Sequence, residues 1–255
     1  MPVSFTLKDV KAVVLKEKPY FGDDKLFTLL VEDRGVIRAI SKGRARQNHL
    51  NICSLIIVTL TSIRDKYYID ESIEFESFFG IRSDIEKLSL SEYLCDLSTG
   101  LCAHKDNSAA FMSLLLNSFY ILENGLIPGE LLRRSFELRL LSETGYMPNL
   151  LGCAGCVDFE QPIYYFLPGR GEMYCEQCLP EHNLSESPIK ITLCVFNAMR
   201  HIVFSDIKKC YIKTLPSEAE KILGQAVDAF LSFHFDKPSV ALEYYKGLLK
   251  FPSSP

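Results

Sequence analysis

The sequence predicts an α+β protein in which an N-terminal barrel of five strands precedes a helical domain that carries a four-cysteine loop. Three observations support this prediction. Roughly the first 75 residues hold five short runs that are rich in β-branched and aromatic side chains. From residue 83 onward, apolar residues recur at three- and four-residue steps, which is the spacing of helices. Between about residues 148 and 188, two C-x-x-C motifs interrupt this spacing.

Residues 1–79 are predicted to form the barrel domain. Residues 20–24 and 33–35 have the glycine and aspartate content of turns, and the second turn gives a short hairpin connection between two strands. Five short strands suit a closed barrel, because closure leaves no exposed strand edge. The predicted strands span residues 10–15, 27–31, 36–41, 55–61 and 67–75.

Residues 80–255 are predicted to form an all-helical domain with an inserted loop at about 148–188. Asp106, Asn107 and Ser108 have the composition of a helix cap, and Pro128 suits the first turn of the helix that follows. The predicted helices span residues 83–101, 106–124, 128–145, 192–204, 216–235 and 239–250.

The composition is that of a globular protein, with 255 residues of which 47% are hydrophobic and 24% charged. A net charge of −4 argues against a generally basic nucleic-acid binder, so any polyanion site must come from a local basic cluster. Residues 1–14 lack the apolar core of a signal peptide, and the most apolar stretch, residues 50–60, is shorter than the roughly 20 residues that span a bilayer. We therefore expect a cytoplasmic protein.

The two C-x-x-C motifs predict one structural zinc ion bound by Cys153, Cys156, Cys175 and Cys178. Eighteen residues separate the second cysteine from the third, which is a usual spacing for a four-cysteine zinc site. Zinc takes four tetrahedral ligands, and two residues between cysteines let one tight turn supply two sulfurs. Gly155 is expected to ease the first turn, because glycine tolerates a positive φ. Four thiolates without an open position indicate a structural site rather than a catalytic one.

Other interpretations of the cysteines stay open. A redox pair is one, although the strand and helix pattern that surrounds such a pair is absent here. His182, four residues after Cys178, is either a substitute ligand or a surface histidine. The other five cysteines lie in apolar segments and are expected to be core residues: Cys53, Cys95, Cys102, Cys194 and Cys210.

A basic stretch runs from Arg34 to Arg46 and contains five basic residues. No acidic residue occurs between Arg34 and Asn51. Arg34, Arg38 and Lys42 share one parity, so a strand places them on one side of the sheet. The stretch is a candidate phosphate-binding surface, and a solvated edge strand fits the same pattern. The candidate residues are Arg34, Arg38, Lys42, Arg44 and Arg46, extended by Lys25, Arg64 and Lys66.

The aromatic residues of the predicted strands have two interpretations. Phe27, Tyr67, Tyr68 and Phe75 are either core residues or platforms on which nucleobases stack. The sequence has no glycine-rich phosphate loop, no dinucleotide-binding motif and no H-E-x-x-H motif. We therefore expect a protein that is not an enzyme.

Three stretches resemble the RecO family of bacterial DNA repair proteins. They are VVLKEKPYFGDDKLFTL at 13–29, GVIRAISKGR at 35–44 and FELRLLSETGYMP at 136–148, which leads into Cys153. The third stretch is the most specific, because a helix, a glycine stop, a proline and the first cysteine pair follow in the family's order. In segment order, the resemblance covers nearly the whole chain.

The resemblance implies an N-terminal OB-fold and a helical domain with a zinc loop. It implies a non-enzymatic mediator on the bacterial nucleoid that binds single- and double-stranded DNA and anneals complementary strands. With RecR, such a protein assists RecA loading on gaps covered by single-strand-binding protein. The acidic, apolar tail of that protein needs basic residues beside an apolar pocket. Arg133, Arg134 and Arg139 are candidates, and ordinary helix-surface charge is the alternative.

Competing functions stay open on the sequence alone. One is a zinc-stabilised protein-interaction module without direct DNA binding, and others are a metal-dependent nuclease or hydrolase and a redox protein. Three measurements distinguish them. An unchanged DNA affinity after replacement of the basic stretch indicates the interaction module, and metal-dependent DNA cleavage indicates a nuclease or hydrolase. Reactive thiols in the absence of metal indicate a redox protein.

Overall fold

A computed structural model describes residues 4–43, 50–102, 107–179, 186–235 and 239–250. The chain forms two compact units. The first unit combines Met1–Asn124 with Ser239–Pro255, and the second unit is Gly125–Pro238. The first unit is therefore discontinuous in sequence. The predicted domain boundary after residue 79 marks the end of the barrel, whereas the first compact unit continues to Asn124. The boundary stays a prediction.

Five strands of the first unit close into a barrel in the order β1-β2-β3-β5-β4. All neighbouring strands are antiparallel except β3 and β5, which run parallel. The prediction of a five-stranded N-terminal barrel is confirmed, and the closed form fits an OB-fold. The strands are β1 (Phe5–Pro19), β2 (Lys25–Val31), β3 (Gly35–Ser41), β4 (Leu55–Ile63) and β5 (Lys66–Glu76).

The barrel interior is filled by apolar side chains, because alternate residues of each strand point inward. The long strand β1 pairs with β2 through its second half and with β4 through its first half, with register shifts at Val14/Lys16 and Leu7/Val10. Burial of each large apolar side chain stabilises the fold by roughly 1.5–3 kcal/mol. The interior residues are Ala12, Val14, Phe27, Leu29, Val31, Ala39, Leu50, Ile56, Val58, Leu60 and Ile69.

The described helices of the first unit are α1 (Phe79–Arg82), α2 (Ile85–Leu101), α3 (Ser108–Glu123) and α7 (Val240–Lys250). Asp84 is the N-cap of α2, and its Oδ1 accepts hydrogen bonds from the backbone amides of Glu86 at 2.9 Å and Lys87 at 3.2 Å. The cap predicted for α3 differs from the structure. Asn107 occupies the N-cap position in a left-handed conformation and makes no side-chain capping bond, and Asp106 lies outside the described residues.

Helix α7 contacts α2, and a small polar cluster joins it to the barrel unit. Ser239 Oγ donates a hydrogen bond to Asp96 at 2.8 Å, and Lys16 Nζ of β1 lies 2.6 Å from the same carboxylate. Helix α7 and the residue before it are therefore an integral part of the first unit.

The second unit contains α4 (Gly129–Glu143), α5 (Leu193–Phe204) and α6 (Ser217–His234), as the apolar periodicity predicts. It also contains a sheet in the order β7-β6-β8, which the all-helical prediction missed. Its strands are β6 (Ile163–Leu167), β7 (Glu172–Tyr174) and β8 (Ile189–Thr192). No helix of the part that the structure describes is long and apolar enough to cross a membrane.

The missed sheet rests on the helices through aromatic contacts. Tyr164 of β6 stacks on Phe196 of α5 with ring centroids 4.3 Å apart, and Phe166 lies 5.8 Å from Phe230 of α6. Strands of three to five residues are too short to show a period of two in the sequence. The sheet is stabilised by its packing on α5 and α6, and it carries the loops that hold the four cysteines.

Candidate functional site

The four cysteines of the C-x-x-C motifs form one cluster. The sulfur atoms of Cys153, Cys156, Cys175 and Cys178 all lie within 4.8 Å of one another. The sulfurs of Cys156 and Cys175 are 3.8 Å apart. A tetrahedron with metal–sulfur bonds of ~2.3 Å has edges of about 3.8 Å, so the cluster has the size of a tetrahedral thiolate site. These residues could hold one metal ion.

The two turns that supply the thiols are tied to each other and to the hairpin of β6 and β7. Cys175 follows β7 directly, and the backbone amide of Ala154 donates to the Met173 carbonyl of β7 at 2.7 Å. The amide of Cys153 donates to the Asp158 carbonyl at 2.8 Å. Tyr164 Oη of β6 donates to the same carbonyl at 3.2 Å. The sheet therefore fixes the first cysteine pair against the second.

Gly155 is required for a different reason from the one predicted. It does not have a positive φ, and the left-handed residue of this turn is Val157, with φ of 65°. A Cβ atom at Gly155 would lie 2.7 Å from Cys178 Cβ and 2.9 Å from Cys178 Sγ. Glycine is therefore needed because the two cysteine turns approach each other closely at this point.

Backbone amides stabilise one thiolate of the cluster. Burial alone raises the pKa of Cys153, but hydrogen bonds from the backbone amides of Cys175, Cys156 and Gly155 outweigh it and lower this pKa to about 6. Hydrogen bonds with Cys175 and Cys156 raise the pKa of Cys178 to about 12. The thiolate of Cys153 is therefore favoured over that of Cys178.

The other cysteines separate into buried and exposed ones. Cys53, Cys95, Cys102 and Cys210 are buried, as predicted. The prediction for Cys194 is wrong, because its side chain is exposed at the beginning of α5. His182, the possible substitute ligand, lies outside the described residues.

The structure describes six of the eight candidate phosphate-binding residues, all in the barrel. Arg34, Arg38 and Lys42 are exposed along the turn, strand and exit of β3, and Arg64 and Lys66 are exposed at the turn between β4 and β5. Lys25 is half-buried, and its Nζ donates to Glu17 Oε1 at 2.5 Å. Arg44 and Arg46 lie outside the described residues. Phosphate binding by this set stays a prediction.

The aromatic candidates divide between the core and the surface. Phe27 is fully buried in the barrel, so the core interpretation holds for it, and Tyr67 is partly buried against the same core. Phe75 is 65% exposed. Tyr68 is partly exposed, and Lys42 Nζ lies 5.1 Å from the centre of its ring, within the range of a cation–π contact.

A surface groove of about 480 Å³ lies beside Tyr68. It is lined by Tyr20, Phe21, Asp24, Ile40, Lys42 and Tyr68. Tyr20 is 50% exposed and Phe21 is 83% exposed in the turn between β1 and β2. The sequence pattern assigns these two residues only to a turn. Two adjacent aromatic residues at a turn that is otherwise polar are the signal that could have indicated the groove.

The three arginines considered for partner binding are not surface charges. Arg133, Arg134 and Arg139 of α4 are only 1%, 7% and 9% exposed. Arg139 Nη1 donates to the carbonyls of Ile202, Val203 and Ser205 at 2.6–3.1 Å, which caps the end of α5. Their burial favours a role inside the second unit, and a contact with a partner protein stays a prediction.

Arg133 and Arg134 share the buried carboxylate of Glu137. Arg133 Nη1 donates to Glu137 Oε1 at 2.8 Å, and Arg134 Nη1 donates to Glu137 Oε2 at 3.1 Å. Arg134 also pairs with Asp228 of α6, and its Nη2 lies 2.7 Å from Asp228 Oδ2. Burial alone lowers the pKa of Arg133, but Glu137 and Glu130 outweigh it and raise this pKa above its ordinary value. The guanidinium groups therefore stay charged and join α4 to α6.

The fold and the cysteine cluster define a barrel-and-helix protein with four thiols that could hold a metal ion. The family model described as "Recombination protein O C terminal" matches residues 82–243. The chain belongs to the RecO family, as the resemblance of its three stretches predicted.

Several curated relatives are named "DNA repair protein RecO". One, from Symbiobacterium thermophilum, is 26% identical over 233 residues that cover 88% of this chain and 91% of the relative. Another, from Acetivibrio thermocellus, is 25% identical over 241 residues that cover 92% and 95%. A third, from Caldicellulosiruptor bescii, is 29% identical over 204 residues that cover 78% and 81%.

Proposed function

We propose that this chain is a non-enzymatic DNA repair and recombination mediator. It binds single- and double-stranded DNA, anneals complementary strands and assists RecA loading together with RecR, on gaps covered by single-strand-binding protein. This work takes place on the nucleoid of a bacterial cytoplasm. The observation that carries the proposal is the barrel groove, where exposed Tyr20 and Phe21 lie near Tyr68 and Lys42.

The groove has the chemistry that single-stranded nucleic acid requires. Each base that stacks on an aromatic side chain adds about 1–3 kcal/mol, and the stack tolerates any base sequence. OB-folds bind oligonucleotides on the face of their second and third strands and on the loops after strands one and four. Phe21 lies in the first of these loops, Lys42 directly follows β3, and Arg64 lies in the last.

In this proposal the phosphate contacts come from exposed cations along β3, of which Lys42 lines the groove. Arg34, Arg38 and Lys42 lie along β3 on a chain whose net charge is −4, so the positive potential is local. Neutralised phosphates release their counterions, and this release drives binding. A protein that lowers the charge repulsion between two strands in this way favours their annealing. RecR and the acidic tail of single-strand-binding protein complete the proposed set of partners.

Fluorescence anisotropy of a labelled single-stranded oligonucleotide across a salt series tests the proposal. The double variant Arg38→Ala/Lys42→Ala is expected to flatten the log–log salt dependence by about 0.7 for each phosphate that is no longer neutralised. The double variant Phe21→Ala/Tyr68→Ala is expected to weaken binding at least roughly 30-fold with an unchanged slope, because two stacking contacts are lost and stacking releases no counterions.

Matched controls come from the same barrel. Lys8→Ala/Lys11→Ala removes two charges of β1 outside the groove, and Phe75→Ala removes an exposed aromatic ring outside it. Both controls should bind like wild type. If wild-type binding is weak and independent of salt, the proposal fails and a zinc-stabilised protein-interaction module becomes the better account.

We further propose that the four-cysteine cluster binds one zinc ion with a structural role. Four thiolate ligands at tetrahedral spacing suit zinc better than magnesium or calcium, which prefer oxygen ligands. All four positions would be filled by Cys153, Cys156, Cys175 and Cys178, so no position is left for water or substrate. The ion would link the turn of Cys153 and Cys156 to the turn of Cys175 and Cys178. Without the ion, the first turn is held to β7 by the hydrogen bond from Ala154 to Met173.

Removal of the metal is expected to lower the melting temperature of the protein by at least roughly 5 °C, because one kcal/mol shifts Tm by about 2–4 °C in a chain of this size. Elemental analysis of the purified protein should find about one zinc per chain. Calorimetry before and after chelation measures the shift, and zinc but not magnesium should restore Tm. A metal content near zero in folded, stable protein would refute the proposal.

A further inference from the structure

A further pair of cysteines lies inside the first compact unit and is separate from the four-cysteine cluster. Cys53 precedes β4, and Cys95 belongs to α2. Their sulfur atoms are 3.8 Å apart although 42 residues separate them in sequence. Cys53 is 1% exposed and Cys95 is 0% exposed, so the pair joins the barrel to α2 within the core.

The backbone holds Cys53 in an uncommon conformation. Its φ is +63°, in the left-handed region that costs energy for a residue with a side chain. Hydrogen bonds fix this conformation, since the amide of Cys53 donates to the Val14 carbonyl at 2.9 Å and the amide of Val14 donates to the Ser54 carbonyl at 3.0 Å. The Cys53 thiol also lies 3.2 Å from Ser91 Oγ of α2. The barrel wall therefore directs this thiol at α2.

We propose that Cys53 and Cys95 are a modification site, a buried dithiol that closes to an intramolecular disulfide with a small disulfide oxidant such as glutathione disulfide. A disulfide needs its sulfurs at about 2.05 Å, so closure requires an approach of about 1.8 Å. Rotation of the two side chains and a shift of the segment before β4 would have to supply this approach.

The reaction is a thiol–disulfide exchange in two steps. The Cys53 thiol loses its proton, and its thiolate attacks one sulfur of glutathione disulfide and expels one glutathione thiolate. The Cys95 thiol then loses its proton, and its thiolate attacks Cys53 Sγ and expels the second glutathione thiolate. Two protein thiols are oxidised to one disulfide, and one small disulfide is reduced to two thiols.

Burial sets the conditions under which the exchange occurs. The hydrogen bond with Cys53, together with burial, holds the pKa of Cys95 well above its ordinary value, so this thiol is inert in the closed fold. Reaction therefore requires local opening of the segment before β4 and is slow in a reduced cell. Once formed, the bond ties α2 to the connection between β3 and β4, in which Arg44 and Arg46 occur in sequence.

Incubation of the zinc-loaded protein with glutathione disulfide, followed by non-reducing peptide mapping, tests the proposal. The expected product is a linked peptide that joins Cys53 to Cys95, with the loss of two hydrogen atoms and with zinc retained. The melting temperature should rise by roughly 5–10 °C, because the crosslink restricts the unfolded chain. Dithiothreitol should reverse both changes.

Variants separate this pair from the other thiols. Cys53→Ser and Cys95→Ser should each abolish the linked peptide and the rise in Tm, whereas Cys194→Ala, which removes an exposed thiol of the other unit, should change neither. Wild-type mapping decides the question even if a serine variant does not fold. The proposal is overturned if the folded protein keeps both thiols reduced while the urea-unfolded protein oxidises, if Cys53 pairs elsewhere, or if the linked protein melts at a lower temperature.

Discussion

Replacement of Glu137 by glutamine is expected to destabilise the second compact unit by about 3–5 kcal/mol. The Glu137 carboxylate is fully buried and accepts hydrogen bonds from both Arg133 and Arg134. Glutamine keeps the volume of the side chain but removes the charge, so two buried guanidinium groups lose a shared counter-ion. Because the arginines remain charged, the cost of their burial is no longer offset, and the contact between α4 and α6 weakens.

Urea unfolding followed by far-ultraviolet circular dichroism measures this effect, since the chain contains no tryptophan. Glu218→Gln is the matched control, because Glu218 and Lys221 of α6 form an exposed ion pair, with 77% and 73% of the side chains accessible. Exposed pairs contribute about 0–1 kcal/mol, so this variant should unfold near the wild-type midpoint. An equally small effect of Glu137→Gln would mean that Glu130 and Asp228 neutralise the arginines without Glu137.

Replacement of Gly155 by alanine is expected to weaken metal binding on the order of 100-fold. The new Cβ atom would lie 2.7 Å from Cys178 Cβ, a distance that forces the two cysteine turns apart. The sulfurs of Cys156 and Cys175, now 3.8 Å apart, would then leave tetrahedral spacing. The variant keeps all four ligands, so a weaker affinity would report geometry alone.

Competition with a chromophoric chelator measures the affinity of this variant. Gly247→Ala in α7 is the control, because a Cβ atom there meets nothing within 4 Å. It should leave metal affinity unchanged and stabilise its helix by up to about 1 kcal/mol. Wild-type affinity in Gly155→Ala would show that the turns move apart without loss of the site.

The long helices and the barrel can be predicted from the sequence, because their apolar periodicity extends over many residues. The pattern predicts α4 at 128–145 and the helix spans Gly129–Glu143, while β3 is predicted at 36–41 and spans Gly35–Ser41. The four-cysteine cluster can also be predicted from the sequence, because two local motifs contain all of its cysteines. The three-stranded sheet escapes prediction, because β6, β7 and β8 are too short for a periodic signal.

The rest of the site depends on contacts between distant residues. Asp228 pairs with Arg134 across 94 positions, so no local spacing indicates that this arginine is buried. Exposed arginines are common, and that tendency gives the wrong expectation for α4. The positive φ expected for Gly155 is wrong, and its close approach to Cys178 exists only after the two turns meet. The groove likewise needs β5 to pair with β3, because that pairing places Tyr68 opposite Ile40 and beside Lys42.

The discontinuous first unit imposes an order on folding during synthesis. The ribosome finishes the barrel and α2 long before it reaches α7, which is the helix that contacts α2. About 126 residues separate Asn124 from Lys250, which at ~5–20 residues per second corresponds to roughly 6–25 s. Through that interval the nascent barrel unit exposes the surface of α2 that α7 later covers, and the second unit completes first. The newly made protein is therefore most vulnerable to aggregation and to chaperone capture after α2 has been synthesised and before α7 covers it.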